Sequence, residues 1–153
     1  MHNWPLDKQV AIKRLAGYKK AMQEANLDIN ENWIASGNFE CEGGKQAFET
    51  IINTGHMPTA LFVCNDMMSM GVINTANKHG LSVPQDLSIV GYDNIKLSEY
   101  ISPSLTTIHQ PKFNLGKTAF DTLLDQIQGQ REGNIEIQLE PRLVVRDSVK
   151  VIN

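Results

Sequence analysis

The 153-residue sequence has only two cysteines, Cys41 and Cys64, and neither stands in a C-x-x-C pair or beside a run of histidines. That excludes a zinc ribbon, a redox dithiol and a disulfide framework, and predicts two reduced, buried thiols. Positive charge is also short: 14 Lys and Arg face 17 Asp and Glu, for a net charge of -3. With no clustered basic excess, this segment cannot grip duplex DNA through its phosphates. No apolar run approaches the ~20 residues of a membrane span. Met1 to Trp4 lacks a basic stretch followed by an apolar one, so no secretion signal is expected and the predicted location is cytoplasmic. Catalytic signatures are missing as well, with no G-x-S-x-G elbow, Walker loop, H-E-x-x-H or G-x-G-x-x-G. Gly43-Gly44-Lys45 has no further glycine at phosphate-loop spacing and reads as a helix start. His2, His56 and His79 are scattered, and His109 beside Gln110 suits a structural role as well as a ligand contact. The expectation is a protein that is not an enzyme and has no cofactor and no metal site.

What is present is ordinary globular material, 41% hydrophobic and 20% charged, enough for one core. Residues 6–26 form an amphipathic pattern in which Val10, Leu15, Tyr18, Met22 and Ala25 recur at helical spacing. Trp33 to Phe39 reads as a short strand, and residues 43–54 as a helix stopped by Gly55. Pro58 then introduces TALFVC, a continuous apolar run of the kind a buried parallel strand shows. Asp66 suits the N-cap of a helix over 66–79, with Gly80 at its end. LSIV at 87–90 is a second buried strand, ending at Gly91-Tyr92-Asp93-Asn94. Alternating strands and helices predict a parallel α/β sheet flanked by helices, which binds ligands at the carboxyl ends of its strands. Phe39, Asn65 and Asp93 fall at those ends. Beyond Pro103 the texture changes: 103–110 is extended and Thr-rich, Pro111 opens a helix over 112–128, and Ile135 to Val145 holds two β-like pieces broken by Pro141.

Arg14, Phe39, Asn65, Asp93 and Gln110 are the side chains from which a sugar site is built. Asp and Arg pair with vicinal hydroxyls, Asn and Gln donate and accept, and an aromatic ring covers the C–H face. Singly, each also suits a helix surface, a core, a cap, a turn or a loop. Met57, Met67, Met68 and Met70 fit a core or dimer-face helix better than a partner groove.

At PTALFVCNDMMSMGV, GLSVPQDLSIVGYDN and SPSLTTIHQP, followed by a helix carrying L-G-x-x-A, the chain closely resembles the lactose-repressor (LacI/GalR) family of transcription regulators. The resemblance runs from about Pro5 to Val149 and is nearest to the ribose- and purine-repressor branches. It implies a periplasmic-binding-protein-like fold in which one lobe is nearly complete and a piece of the second is present. Residues 1–107 would be the C-terminal lobe without its first strand, and 108–141 a crossing strand, helix and strand of the N-terminal lobe. Residues 142–153 would return to the C-terminal lobe. Arg14, Phe39, Asn65, Asp93 and Gln110 match effector positions of the family. Met67, Met70, Leu97, Tyr100 and Ile101 match surfaces used for a homodimer. Operator DNA would be held only by a headpiece absent from this chain. The branch that binds purines carries a hydroxyl where Val10 stands and a small residue at Asn65, so the expected effector is D-ribose. The alternatives are a purine-responsive repressor fragment or a periplasmic sugar receptor.

Overall fold

The computed structural model describes residues 9–152. Helix α1 (Gln9–Glu24) carries the first amphipathic pattern, whose opening residues 6–8 lie outside the described residues. It is followed by α2 (Cys41–Ile52), β1 (Ala60–Phe62), α3 (Asp66–Lys78), β2 (Ser88–Asp93), β3 (Thr106–His109), α4 (Lys112–Ile127) and β4 (Arg142–Val144). The strands form one sheet in the order β1-β2-β3-β4, with Phe62 beside Val90 and Asp93 beside His109. The first three are parallel, as expected, while β4 runs antiparallel to β3 and places Arg142 opposite His109. The chain leaves the end of β3 into α4 and comes back from that same end, so the returning strand must run the other way.

Three expectations need correction. The cap of α3 is Asn65 and not Asp66: Asn65 is extended, with φ -158 and ψ 167, and its Oδ1 accepts from the Met68 N–H at 2.9 Å. Asp66 is thereby free for another task. The predicted strand at Trp33–Phe39 is a short 3-10 turn over Glu31–Trp33 followed by residues 34–38 without ladder pairing. A strand needs a neighbour to take its backbone groups, and among the described residues none lies in register beside this segment. For the same reason only the second β-like piece near Pro141 becomes a strand.

The core gathers Phe48 of α2, Val72 and Ala76 of α3, and Leu87, Ile89 and Leu105 around the start of the sheet. Helices α2 and α3 approach closely because glycine allows it. A Cβ on Gly71 would strike the Cys41 carbonyl, and one on Gly44 would strike the backbone of Met68. Gly44 thus serves helix packing, while a Cβ on Gly43 would strike Asn38 of the loop before α2, in keeping with the pair's reading as a helix start. The C-terminal segment closes the sheet's lower end through Ser148, which is fully buried. Its hydroxyl accepts from the Thr106 N–H at 2.8 Å and donates to the Ile89 carbonyl at 2.6 Å, while its own carbonyl accepts from the Ile89 N–H at 2.8 Å. Helix α4 is different, since none of its residues is buried and Phe113 and Ile127 are 81% and 73% exposed.

Gly71→Ala should lower stability by about 1–3 kcal/mol, the usual cost of overpacking against backbone. Gly17→Ala, where a Cβ meets nothing within 4 Å, should instead raise it by about 0.5–1 kcal/mol through helix propensity. Urea midpoints at unchanged slope would read both, and equal effects would show that close approach is not what selects glycine at 71.

Candidate functional site

The site begins with the residue displaced from the cap. Asp66 is fully buried at the start of α3. Its Oδ1 accepts from the Thr107 hydroxyl at 2.5 Å and its Oδ2 from the Ile95 N–H at 2.8 Å. Burial pushes its carboxyl pKa up, and the hydrogen bonds from Thr107 and Ile95 offset part of that rise. The two bonds pin the turn that follows β2 against β3. In that turn Asp93 and Asn94 take φ values of 109 and 48, a region that non-glycine residues occupy only when their surroundings impose it. Asn94 is held on every side. Its N–H donates to the Thr107 hydroxyl at 3.3 Å, its Nδ2 donates to His109 Nδ1 at 3.0 Å, and its Oδ1 accepts from Arg146 Nη2 at 2.9 Å. Arg146 also donates to the Leu105 carbonyl at 2.8 Å and pairs with Glu99 at 3.3 Å.

The turn so fixed presents Asp93, whose Oδ1 accepts from Gln110 Nε2 at 2.5 Å and lies 3.7 Å from Arg14 Nη2. Arg14 reaches this point from α1. Its guanidinium lies 3.7 Å from the centre of the Tyr92 ring, and its Nη1 donates to the Cys64 carbonyl. Burial raises the Cys64 thiol pKa, against the opposing charge of Arg14. The next residue, Asn65, donates from Nδ2 to the Phe39 carbonyl at 2.7 Å while Oδ1 caps α3. Phe39 itself sits at φ 66, a costly backbone for a bulky residue, worth about 1–3 kcal/mol. All five predicted residues therefore join one string of contacts: Gln110, Asp93, Arg14, the Cys64 carbonyl, Asn65 and Phe39. They do not play equal parts, because both ends of the Asn65 amide are engaged within the fold.

Asp93 and Arg14 keep 25% and 14% of their side-chain surface open to solvent. A fixed carboxylate and guanidinium beside an aromatic ring can take a small polar ligand through paired hydrogen bonds. Among the described residues no cluster of three His, Cys, Asp or Glu is placed to hold a metal ion. Sequence reasoning missed Tyr92, Asn94, Asp66 and Arg146. The first two lie inside the Gly-Tyr-Asp-Asn motif and could have been found there, whereas nothing local marks Arg146. Of the expected dimer residues, Leu97 and Tyr100 are 51% and 70% exposed near one short 3-10 turn, Ile101 packs partly on the core, and Met67 and Met70 are half-buried on α3. No helix of the described residues is long and apolar enough to cross a membrane.

Residues 5–149 match the family described as periplasmic binding protein-like domain. The HTH-type transcriptional repressor PurR of Klebsiella pneumoniae is 50% identical over 145 residues, which cover 95% of this chain and 42% of the repressor. The chain thus spans about two fifths of the length of the curated relatives it matches. A LacI-family regulatory protein from Chloroflexus aggregans superimposes with a TM-score of 0.88 at 32% identity, covering 96% of this chain and 53% of that one. A LacI-family regulator from Enterococcus faecium with bound ribose gives a TM-score of 0.77 at 35% identity, covering 89% of this chain and 50% of that one.

Asp66→Asn exchanges an acceptor oxygen for a donor that faces either the Thr107 hydroxyl or the Ile95 N–H. It should cost about 1–3 kcal/mol, the range for an unsatisfied buried group. Because burial raises the folded pKa above the unfolded value of about 3.9, folding favours the protonated form. The contribution is complete below the unfolded pKa and declines as pH rises through the folded one. The stability gap between wild type and Asp66→Asn should therefore narrow as pH climbs through that window. A gap that widens would mean Asp66 is stabilised as a charge.

Proposed function

The chain belongs to the periplasmic-binding-protein-like family as the C-terminal region of a LacI/GalR-type regulator, and from that premise we propose that it senses a purine base. In this reading it is the effector-binding part of a transcriptional repressor, has no catalytic role and acts in the cytoplasm. The observation that carries the choice of effector is the engagement of Asn65. With its amide committed to the α3 cap and the Phe39 carbonyl, the set facing a ligand reduces to Arg14, Asp93, Gln110 and the Phe39 ring. That set suits a flat heterocycle: the Asp93 carboxylate accepts ring N–H groups, Arg14 donates to an exocyclic oxygen or ring nitrogen, and Phe39 lies against the ring face. The likeness to the purine repressor at 50% identity supports the same choice. D-ribose, which the sequence favoured, is the second reading, supported by the neighbour that holds ribose at 35% identity.

The remaining assignments follow from the same proposal. Residues 1–107 and 142–153 make up one lobe and 108–141 belong to the other, so the ligand sits where the two meet. Met67, Met70, Leu97, Tyr100 and Ile101 contribute to a homodimer, and operator DNA is bound by a headpiece outside this chain. Effector binding controls DNA binding only to the extent that it prefers one lobe arrangement over the other.

Calorimetric titration with hypoxanthine, guanine and D-ribose checks the effector. Saturable heat is expected for a base, and Asp93→Ala should weaken it about 10- to 100-fold, since a hydrogen bond to a charged group is worth about 1.5–3 kcal/mol. Saturable heat for ribose with silence for both bases would overturn the purine assignment.

A further inference from the structure

Asn94 has both ends of its side-chain amide engaged, and what engages them fixes the direction of each bond. Arg146 Nη2 lies 2.9 Å from one end. A guanidinium donates and never accepts, so the atom facing it is the amide oxygen. The other end is then the NH2 group, and it faces His109 Nδ1 at 3.0 Å. To complete that bond Nδ1 must offer a lone pair, which leaves the ring proton on Nε2 and the imidazole neutral. Arg146, acting through Asn94, thus dictates the tautomer of His109. A protonated ring does not fit. An imidazolium carries a hydrogen on Nδ1 too, and two donors would face each other. Turning the Asn94 amide over would bring its NH2 group against the guanidinium instead. That guanidinium is itself anchored, donating to the Leu105 carbonyl at 2.8 Å and pairing with Glu99 at 3.3 Å.

We infer that Arg146 and His109 are positioning residues of the Asp93 turn, and that a proton on His109 releases the turn and weakens ligand binding there. The inference rests on the reading of Asp93 as a ligand-binding residue. The tie to His109 matters because Asp93 and Asn94 sit at φ 109 and 48, backbone that persists only where it is held. Two bonds run from Asn94 to β3, and the other, from its N–H to the Thr107 hydroxyl, is long at 3.3 Å. Charged groups approach the ring from each neighbouring element. Asp93 on β2 and Arg142 on β4 are its partners in the sheet. Asp66 of α3 holds the Thr107 hydroxyl, Lys112 opens α4, and Lys96 and Glu99 come from the 3-10 turn that Arg146 grips. Each of the acids has donors of its own: Thr107 and Ile95 for Asp66, Gln110 for Asp93, Lys96 and Arg146 for Glu99. None of them therefore stands in for Asn94 as the acceptor of a proton on Nδ1.

The test follows the ligand-free protein, and its binding of hypoxanthine, between about pH 8 and about pH 5, the span in which an ordinary histidine titrates. Nitrogen NMR of the ring near the upper limit should place the proton on Nε2. As pH falls, the backbone amide signals of Asp93 and Asn94 should move, and affinity for hypoxanthine should drop about tenfold, in line with one lost hydrogen bond. His109→Asn keeps an acceptor close to where Nδ1 stands and cannot take up the proton, so its signals and affinity should stay level. Arg146→Met frees the amide to turn over and should also level the profile, and Arg146→Lys should restore it. Circular dichroism checks that each variant folds. A proton on Nδ1 near the upper limit, or the same pH profile in wild type and His109→Asn, would overturn the inference. So would an affinity that stays level while the signals move. Silence for hypoxanthine at every pH, with the signals behaving as expected, would count against the purine reading and for the release of the turn.

Discussion

Asp66 is closed off from water, so its two oxygens must take their hydrogen bonds from the protein, and where they take them decides where the site is. One bond goes to a backbone N–H just past the turn and the other to a hydroxyl on the neighbouring strand. Together they hold a turn whose two non-glycine residues occupy left-handed backbone space. Released from that hold, Asp93 and Asn94 would relax toward commoner angles, and the Asp93 carboxylate would lose its aim at Arg14. A buried carboxylate is an expensive way to hold a turn, yet its two oxygens can grip two elements at once, which a neutral side chain of the same size does less well.

Much of this is legible in the sequence. Apolar runs bounded by Pro58, Asn65 and Gly80 mark β1 and α3, and Gly-Tyr-Asp-Asn marks the end of β2, although the strand extends through Asp93 and does not stop at Val90. The five polar and aromatic residues grouped by their chemistry do lie in one string of contacts. Other parts were not legible, for physical reasons. Asn65 and Asp66 are equally good caps, and only the tertiary partners of Asp66 break the tie. The WIASGNF stretch reports an appetite for burial, but pairing depends on a neighbour that periodicity cannot supply. The strained backbone at Phe39 leaves no mark on residue choice, because phenylalanine is not selected for positive φ. Arg146 acts on Asn94 from the far end of the chain, so its role emerges only when the chain is folded.

That distant arginine gives the site a physical connection to its surroundings. Arg146 binds the Leu105 carbonyl and Asn94 on one side and Glu99 on the other. The exposed side chains of Leu97 and Tyr100 project from this same short turn. The turn that carries Asp93 and the exposed surface at Leu97 and Tyr100, which we propose for effector and subunit contact, are thus two ends of one hydrogen-bonded cluster. A ligand that preferred one geometry of Asp93 would bias the whole cluster, which is the sort of two-state element that a coupling between sites requires.

The position of Ser148 has a consequence for how the protein comes into being. Its hydroxyl and carbonyl take up backbone groups of Thr106 and Ile89, at the starting ends of the two central strands. Those groups have no other partner waiting, so the sheet cannot finish its hydrogen bonding while Ser148 is still inside the ribosome. Helices α2 and α3, separated in the chain only by β1 and the segments that flank it, can pair during synthesis because their contacts are local in the chain. The strands they cover must wait with their ends open until residue 148 has been made and has left the ribosome, and during that interval the nascent chain depends on whatever keeps open sheets from finding one another.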